Sequence, residues 1–173
     1  MTLTNLPNGV QIGDVIITTS GVEVDGVAIA ASNKLTVTAD LSSATWNTVA
    51  SHEIAVVTGL VRVQILPLCT VTGDDTSGNT GTISLGWDGT VAGMIAATEV
   101  DDLAAGEFWY DATPTTTGEA FATAVLDFVL DGKDIGYTIA TEAAVAGSIK
   151  FHIWWIPLES GATVTAGEGG TFA

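Results

Sequence analysis

The chain has 173 residues, 47% of them hydrophobic, and sets twenty acidic side chains against four basic ones (Lys34, Arg62, Lys133 and Lys150), a formal net charge of −16. That length suits one domain with a small appendage, with a core that needs neither disulfide nor metal. The charge balance argues against nucleic acid, which needs clustered Lys and Arg, and against anionic membrane surfaces, and no apolar stretch reaches the ~20 residues of a membrane helix.

Met1-Thr2-Leu3-Thr4-Asn5 shows no basic segment leading into an apolar one, so no signal peptide is expected. An internal repeat follows. Gly9 to Ser20 and Gly21 to Ser32 share the pattern Gly-Val-x-(Ile/Val)-x-x-Val-x-Ile-x-x-Ser with a period of twelve. Each copy has the size of a strand, a turn and a second strand. A lone hairpin is marginal in water, so this segment is expected to pack on the rest of the chain or on another chain.

From about residue 51 to 160 the sequence reads as eight short strands, at about 53–58, 60–70, 81–87, 91–97, 106–112, 122–130, 134–140 and 148–158. Short helical turns are expected only between Thr90 and Ala105. Ala122 to Leu130 also fits a helix face, but Asp131-Gly132 between two apolar runs favours a hairpin. Val61-Arg62-Val63-Gln64-Ile65 and Ile149-Lys150-Phe151-His152-Ile153 alternate in the same way, and each runs on to Pro-Leu. One face of each strand should enter the core, the other should carry half the chain's positive charge, and the prolines should mark places where ladder pairing stops. The expected fold is all-β, an antiparallel jelly-roll-like β-sandwich. Residues 1–50 form an N-terminal β-repeat arm, 51–160 the sandwich body and 161–173 a glycine-rich tail.

Signals for chemistry are weak. Cys69, alone in an apolar run, reads as a small buried hydrophobe and offers no disulfide or zinc site. The histidines, His52 and His152, come with no Gly-x-Ser-x-Gly elbow. Nine acids between Glu99 and Asp134 surround Phe108-Trp109-Tyr110 and read as a solvated rim rather than a glycosidase pair. The loop Gly73 to Gly81 is rich in oxygen donors but lacks EF-hand spacing. Trp154 and Trp155 are adjacent, so on a strand they face opposite ways, one inward and one to a surface or interface. No catalytic residue, cofactor site or metal site is expected, and the chain reads as a non-enzyme.

Ser51-His52-Glu53-Ile54, Thr58-Gly59-Leu60-Val61-Arg62-Val63, Glu107 to Pro114, Leu130 to Tyr137 and Trp154-Trp155-Ile156-Pro157-Leu158 resemble structural proteins of tailed-bacteriophage virions, over roughly residues 51 to 170. The resemblance implies a head decoration (cement) protein. Such a protein is made in the host cytoplasm and placed on the outer capsid surface. It binds the major capsid protein and itself, as a trimer in preference to a dimer. Val10, Ile12, Val22, Val24, Trp109 and Trp154 are the expected interaction residues. The alternatives are a carbohydrate-binding jelly-roll module using exposed tryptophans, and a neck, tail or fibre component.

Overall fold

A computed structural model describes residues 3–6, 9–12, 15–18, 21–24, 27–29, 33–76, 78, 80–116 and 125–170. The chain divides into two compact units, Met1–Asn33 and Lys34–Ala173. The first is one antiparallel sheet in the order β1 (Leu3–Leu6), β2 (Gly9–Ile12), β3 (Val15–Thr18), β4 (Gly21–Val24) and β5 (Val27–Ile29). Each twelve-residue repeat is therefore two strands of a meander. Branched residues at alternate positions, such as Val10 and Ile12 or Val22 and Val24, favour the extended chain.

The second unit holds two packed antiparallel sheets. Its strands are β6 (Asn33–Asp40), β7 (Ser51–Thr58), β8 (Leu60–Asp75), β9 (Thr82–Trp87), β10 (Thr90–Glu99), β11 (Glu107–Phe108), β12 (Thr115–Thr116), β13 (Leu126–Asp131), β14 (Ile135–Ala140), β15 (Ala144–Pro157) and β16 (Thr163–Ala166). A 3-10 turn at Val100–Asp102 falls inside the segment where short helical turns were expected.

One sheet runs β6-β15-β8-β13, with β11 and β12 continuing past β13 along the same edge of β8; the other runs β10-β9-β14-β7-β16. Counting β6, β7, β8, β9, β10, β13, β14 and β15 as first to eighth, the first sheet has the order first-eighth-third-sixth. The second has the order second-seventh-fourth-fifth. This is the jelly-roll arrangement, with β16 added at one edge.

Alternation builds the core. Val61, Val63, Ile65 and Cys69 of β8 and Ile149, Phe151 and Ile153 of β15 are buried against Ile54, Leu85, Ile135 and Ile139 of the other sheet. Tyr137 of β14 stacks on Phe151 of β15 across the sandwich, ring centroids 6.2 Å apart, and donates its hydroxyl to the Trp46 carbonyl at 2.5 Å. Tyr137 thereby ties both sheets to the segment before β7.

The structure differs from the sequence reading in four places. Residues 34–50 belong with the body, because β6 pairs with β15 as the edge of its sheet. The stretch after Gly161 is not a loose tail: Thr163–Ala166 pairs with β7, Gly167 and Gly169 donate to the Ile54 and Glu53 carbonyls, and the Glu53 N–H donates to the Gly170 carbonyl at 2.7 Å. Asp131-Gly132 is not a hairpin, since β13 pairs with β8 and β14 with β9 and β7, in opposite sheets. The strand expected at 106–112 shrinks to Glu107–Phe108, and Asp111 folds back to accept the Thr113 N–H at 2.7 Å. Residues 122–124 of the sixth expected strand lie outside the described residues.

Pro67 fits its expectation on one side only. The ladder to β15 continues through it, opposite Phe151. On the other edge of β8, pairing passes from β13, ending at Ile65, to β11 at Leu68, and the Pro67 carbonyl takes the Trp109 N–H. The missing donor falls at that change of partner.

Candidate interaction face

The outer face of the β6-β15-β8-β13 sheet is built by the residues that alternate with the core set. Its cross-strand rows follow from the register. Ile156 lies opposite Arg62, and Arg62 opposite Val129. Trp154 lies opposite Gln64, and Gln64 opposite Asp127. His152 lies opposite Leu66, and Lys150 opposite Leu68. Cross-strand neighbours on one face are close enough for their side chains to touch.

Three of the chain's four basic residues, Lys34, Arg62 and Lys150, lie on this one face. Arg62 is held in a two-point fork by Asp127, with Nε to Oδ1 at 3.0 Å and Nη2 to Oδ2 at 2.5 Å, and Gln64 Nε2 also donates to Asp127 Oδ2 at 3.3 Å. Hydrogen bonding from Arg62 outweighs partial burial and holds the Asp127 carboxyl below the usual range. Both partners are over 40% exposed, so the pair orders the face more than it stabilises the fold.

Lys34 Nζ lies 5.6 Å from the centroid of the Trp154 ring, a cation–π contact. His152 stacks beside the same ring at 6.1 Å, and its Nδ1 lies 3.4 Å from Thr36 Oγ1. Partial burial, then the charges of Lys34 and Lys150, hold the His152 imidazole below its ordinary range. It is therefore neutral at pH 7. Between these polar groups lie the half-buried Leu66, Leu68 and Ile156 and the exposed Val129, at 61%. A sheet face mixing an ordered Arg, a Trp and aliphatic side chains has the make-up of a protein-binding patch.

The six expected interaction residues separate into three sets. Trp154 lies on the face just described, and Trp155 packs against the core, as their adjacency required. Trp109 is a correction. It is fully buried, and its indole N–H donates to Thr98 Oγ1 at 3.0 Å, which makes it a core residue of the body. Val10 and Val22 fall in one cross-strand row of the N-terminal sheet with Asn5, Ile17 and Ile29. Ile12 and Val24 fall in another with Leu3, Val15 and Val27. The two rows are two residues apart along each strand and so share a face.

The candidates for chemistry take structural places. Cys69 is buried, and burial, with the Glu107 charge nearby, pushes its thiol up to about 12, so it stays protonated at neutral pH. His52 is buried against Tyr137, its Nε2 2.9 Å from the Thr48 carbonyl, on the sheet opposite His152. In the loop after β8, Asp75 accepts the backbone N–H groups of Gly78, Thr80 and Gly81 at 2.8, 3.0 and 2.6 Å. Its carboxylate is spent on shaping the turn. Among the described residues, no group of three or more His, Cys, Asp or Glu is placed to hold a metal ion.

No protein-family model matches the chain, and no curated protein matches it. Among solved structures it is similar to a chain of the acidic stable capsid structure of Helicobacter pylori bacteriophage KHP30, at 12% identity with a TM-score of 0.38, over 78% of this chain and 98% of that one. A superposition this loose identifies neither a family nor a role.

Sequence reading foresaw the outer face in part, through Arg62, Lys150 and Trp154. It missed Lys34 and Thr36, which reach the face only because β6 pairs with β15. The alternation Leu35, Val37, Ala39 against Lys34, Thr36, Thr38 was the available signal.

Proposed function

We propose that the chain is a structural protein of a tailed-phage virion, a non-catalytic decoration protein that binds the outer surface of the head through non-covalent contacts with the major capsid protein and with copies of itself. The jelly roll limits the class without choosing within it, since capsid and lectin domains both use it. The observation that carries the reading is the ordered outer face of the β6-β15-β8-β13 sheet. Three cations, a tryptophan and four aliphatic side chains stand there on the outward face of one hydrogen-bonded sheet, a mix suited to gripping another protein. The stretches that resemble virion proteins support it. The N-terminal sheet is the second contact. Once the body is docked, each further contact is intramolecular, and a modest surface then adds much to the hold.

The test is co-sedimentation of the purified chain with heads of the phage that encodes it, stripped of this protein. Saturable binding at a fixed ratio to the major capsid protein, with heads that then withstand heating better, is the expected result. No binding to heads refutes the reading.

The carbohydrate reading rests on Trp154. Its ring is already engaged by Lys34 and His152, which leaves less of it for a sugar to stack on. Glycan-array binding lost in Trp154→Ala would favour that reading instead.

A further inference from the structure

We infer that β6 pairs edge to edge with β6 of a second copy of the chain, antiparallel about a two-fold axis at Val37, so that the two β6-β15-β8-β13 sheets run on as one. This deepens the virion reading, and rests on it only for the claim that copies of the chain meet.

A strand at the end of a sheet presents a row of backbone N–H and C=O groups to whatever comes next, and proteins blunt such edges by keeping them short, bulged or interrupted by proline. β12 has two residues and β16 four, and β10 breaks register with β9 at two points. β6 has eight residues, with neither proline nor glycine. Lys34 over Trp154, Thr36 beside His152 and the Leu41 N–H on the Gly147 carbonyl all fall on a single antiparallel register, so β6 follows β15 without a bulge. Among the described residues its outer edge meets no other strand.

The direction of the backbone groups decides which of them a second strand can use. Leu41 points its N–H at β15, so the odd-numbered residues of β6 are engaged in that ladder. Lys34, Thr36, Thr38 and Asp40 then point their N–H and C=O groups outward, and the Asp40 carbonyl is accordingly available to take the Ser43 N–H at 2.9 Å. A two-fold axis normal to the sheet keeps the inner face inward and the outer face outward. With Val37 on that axis, Thr36 falls opposite Thr38 of the second copy, Leu35 opposite Ala39, and Lys34 opposite Asp40. The outward-pointing groups are the ones that meet, giving about six new backbone hydrogen bonds once the engaged Asp40 carbonyls are left out. Lys34 meets Asp40 at both ends of the pair, and opposite charges and threonine pairs across strands both stabilise. Asp40 keeps an oxygen for this, since the Ser42 N–H and hydroxyl both bond its Oδ1. The half-buried Leu35 is covered. β13 fails the same test: centred on Val129, it sets Asp127 against Asp131.

The charges that meet at β6 cancel, so the −16 of each copy opposes the join only from a distance. At about 0.15 M salt the ~8 Å screening length shortens that reach. Joined edges bury less than the ~1,600 Å² of a standard interface, which fits a dissociation constant of about 1–100 µM, tightened where docking holds copies side by side.

The experiment is sedimentation velocity of the full chain, without heads, at about 1–300 µM in about 0.15 M NaCl. A monomer–dimer equilibrium is expected. Thr38→Pro deletes an outward N–H and leaves the β15 ladder intact, as proline does on sheet edges, and should weaken the dimer by roughly tenfold or more. Lys34→Asp and Asp40→Lys should each weaken it by roughly threefold or more, and the two together should restore it. Asp40→Lys is the decisive arm: it lowers the net charge, so if repulsion between acidic copies were all that mattered, association would strengthen. Near-ultraviolet circular dichroism of the tryptophans checks that each variant is folded. A chain that stays monomeric throughout that range overturns the inference, as does association of any order that the folded variants leave unchanged or that Asp40→Lys strengthens. Neither result bears on whether the chain binds heads, so the virion reading stands or falls by its own co-sedimentation.

Discussion

Trp109 and Asp75 show how polar atoms are accommodated inside this protein. The Trp109 indole is enclosed by the core, and its N–H finds the Thr98 hydroxyl, which itself donates to the Ala96 carbonyl at 3.2 Å. Trp109→Phe removes the donor and leaves a small void. Urea unfolding should show a loss of about 1–3 kcal/mol, with head binding unchanged under native conditions. Asp75, itself buried, gathers three backbone N–H groups of the exposed turn that follows it, the Gly81 N–H being the buried one. Asp75→Ala strands the buried Gly81 N–H and should cost about 1–3 kcal/mol, whereas Asp75→Asn keeps an acceptor oxygen and should cost less. Equal losses for the two would mean that the negative charge matters more than the acceptor geometry.

Between residue and fold stand the corners where the chain changes sheets. Gly59, φ 68°, lies between β7 and β8, and Gly132, φ 55°, between β13 and β14; the Gly132 N–H donates to the Gly59 carbonyl at 3.1 Å. A methyl group at Gly132 would meet nothing within 4 Å, so only the backbone angle resists substitution. Gly132→Ala should cost about 1 kcal/mol in thermal or chemical unfolding. Local signals revealed that a turn was there but not which sheet the next strand would join. Asp-Gly between apolar runs looks the same in a hairpin and in a crossing. That choice is made by β8 and by β9 and β7, tens of residues away. Alternation made β8 and β15 legible nearly in full. It failed for Trp109, because a two-residue strand is too short to alternate, and for β6, whose partner lies more than a hundred residues on. The stretches that resemble phage virion proteins include both crossings and the end of β15, where the Leu158 N–H meets the Leu60 carbonyl. They report on how the sandwich is closed.

Over the whole molecule, repulsion among carboxylates decides how stability responds to acid. Glu53, Asp88, Asp134 and Glu168 gather around one region of the β10-β9-β14-β7-β16 sheet. Burial, then the charges of Asp134 and Asp88, raise the Glu53 carboxyl above its ordinary range. A group that holds its proton more tightly when folded adds stability as pH falls toward its unfolded value of 4.5. Asp127 and Asp40 are shifted the other way, and their contribution is lost as pH falls below 3.8. His152, held below its ordinary value of 6.5, works the other way as pH falls through that value. In a His152→Gln background the melting temperature should therefore rise from pH 8 toward about pH 5 and drop again below about pH 4, and adding Glu53→Gln should flatten the rise. A melting temperature that falls steadily from pH 8 downward in that background would refute this account.

The position of β15 has a consequence for the chain's birth. The strand β15 sits inside its sheet, between β6 and β8, which are made many residues earlier. Until residue 157 has emerged, β6 lacks its sheet neighbour among the described residues and the core lacks Ile149, Phe151 and Ile153. The body must wait until β15 is made and then close in one step, slowed by contacts so distant along the chain. Ribosome-bound chains stalled before residue 144 should be digested by protease as readily as unfolded polypeptide. Those stalled once residue 170 has cleared the exit tunnel should yield a resistant body.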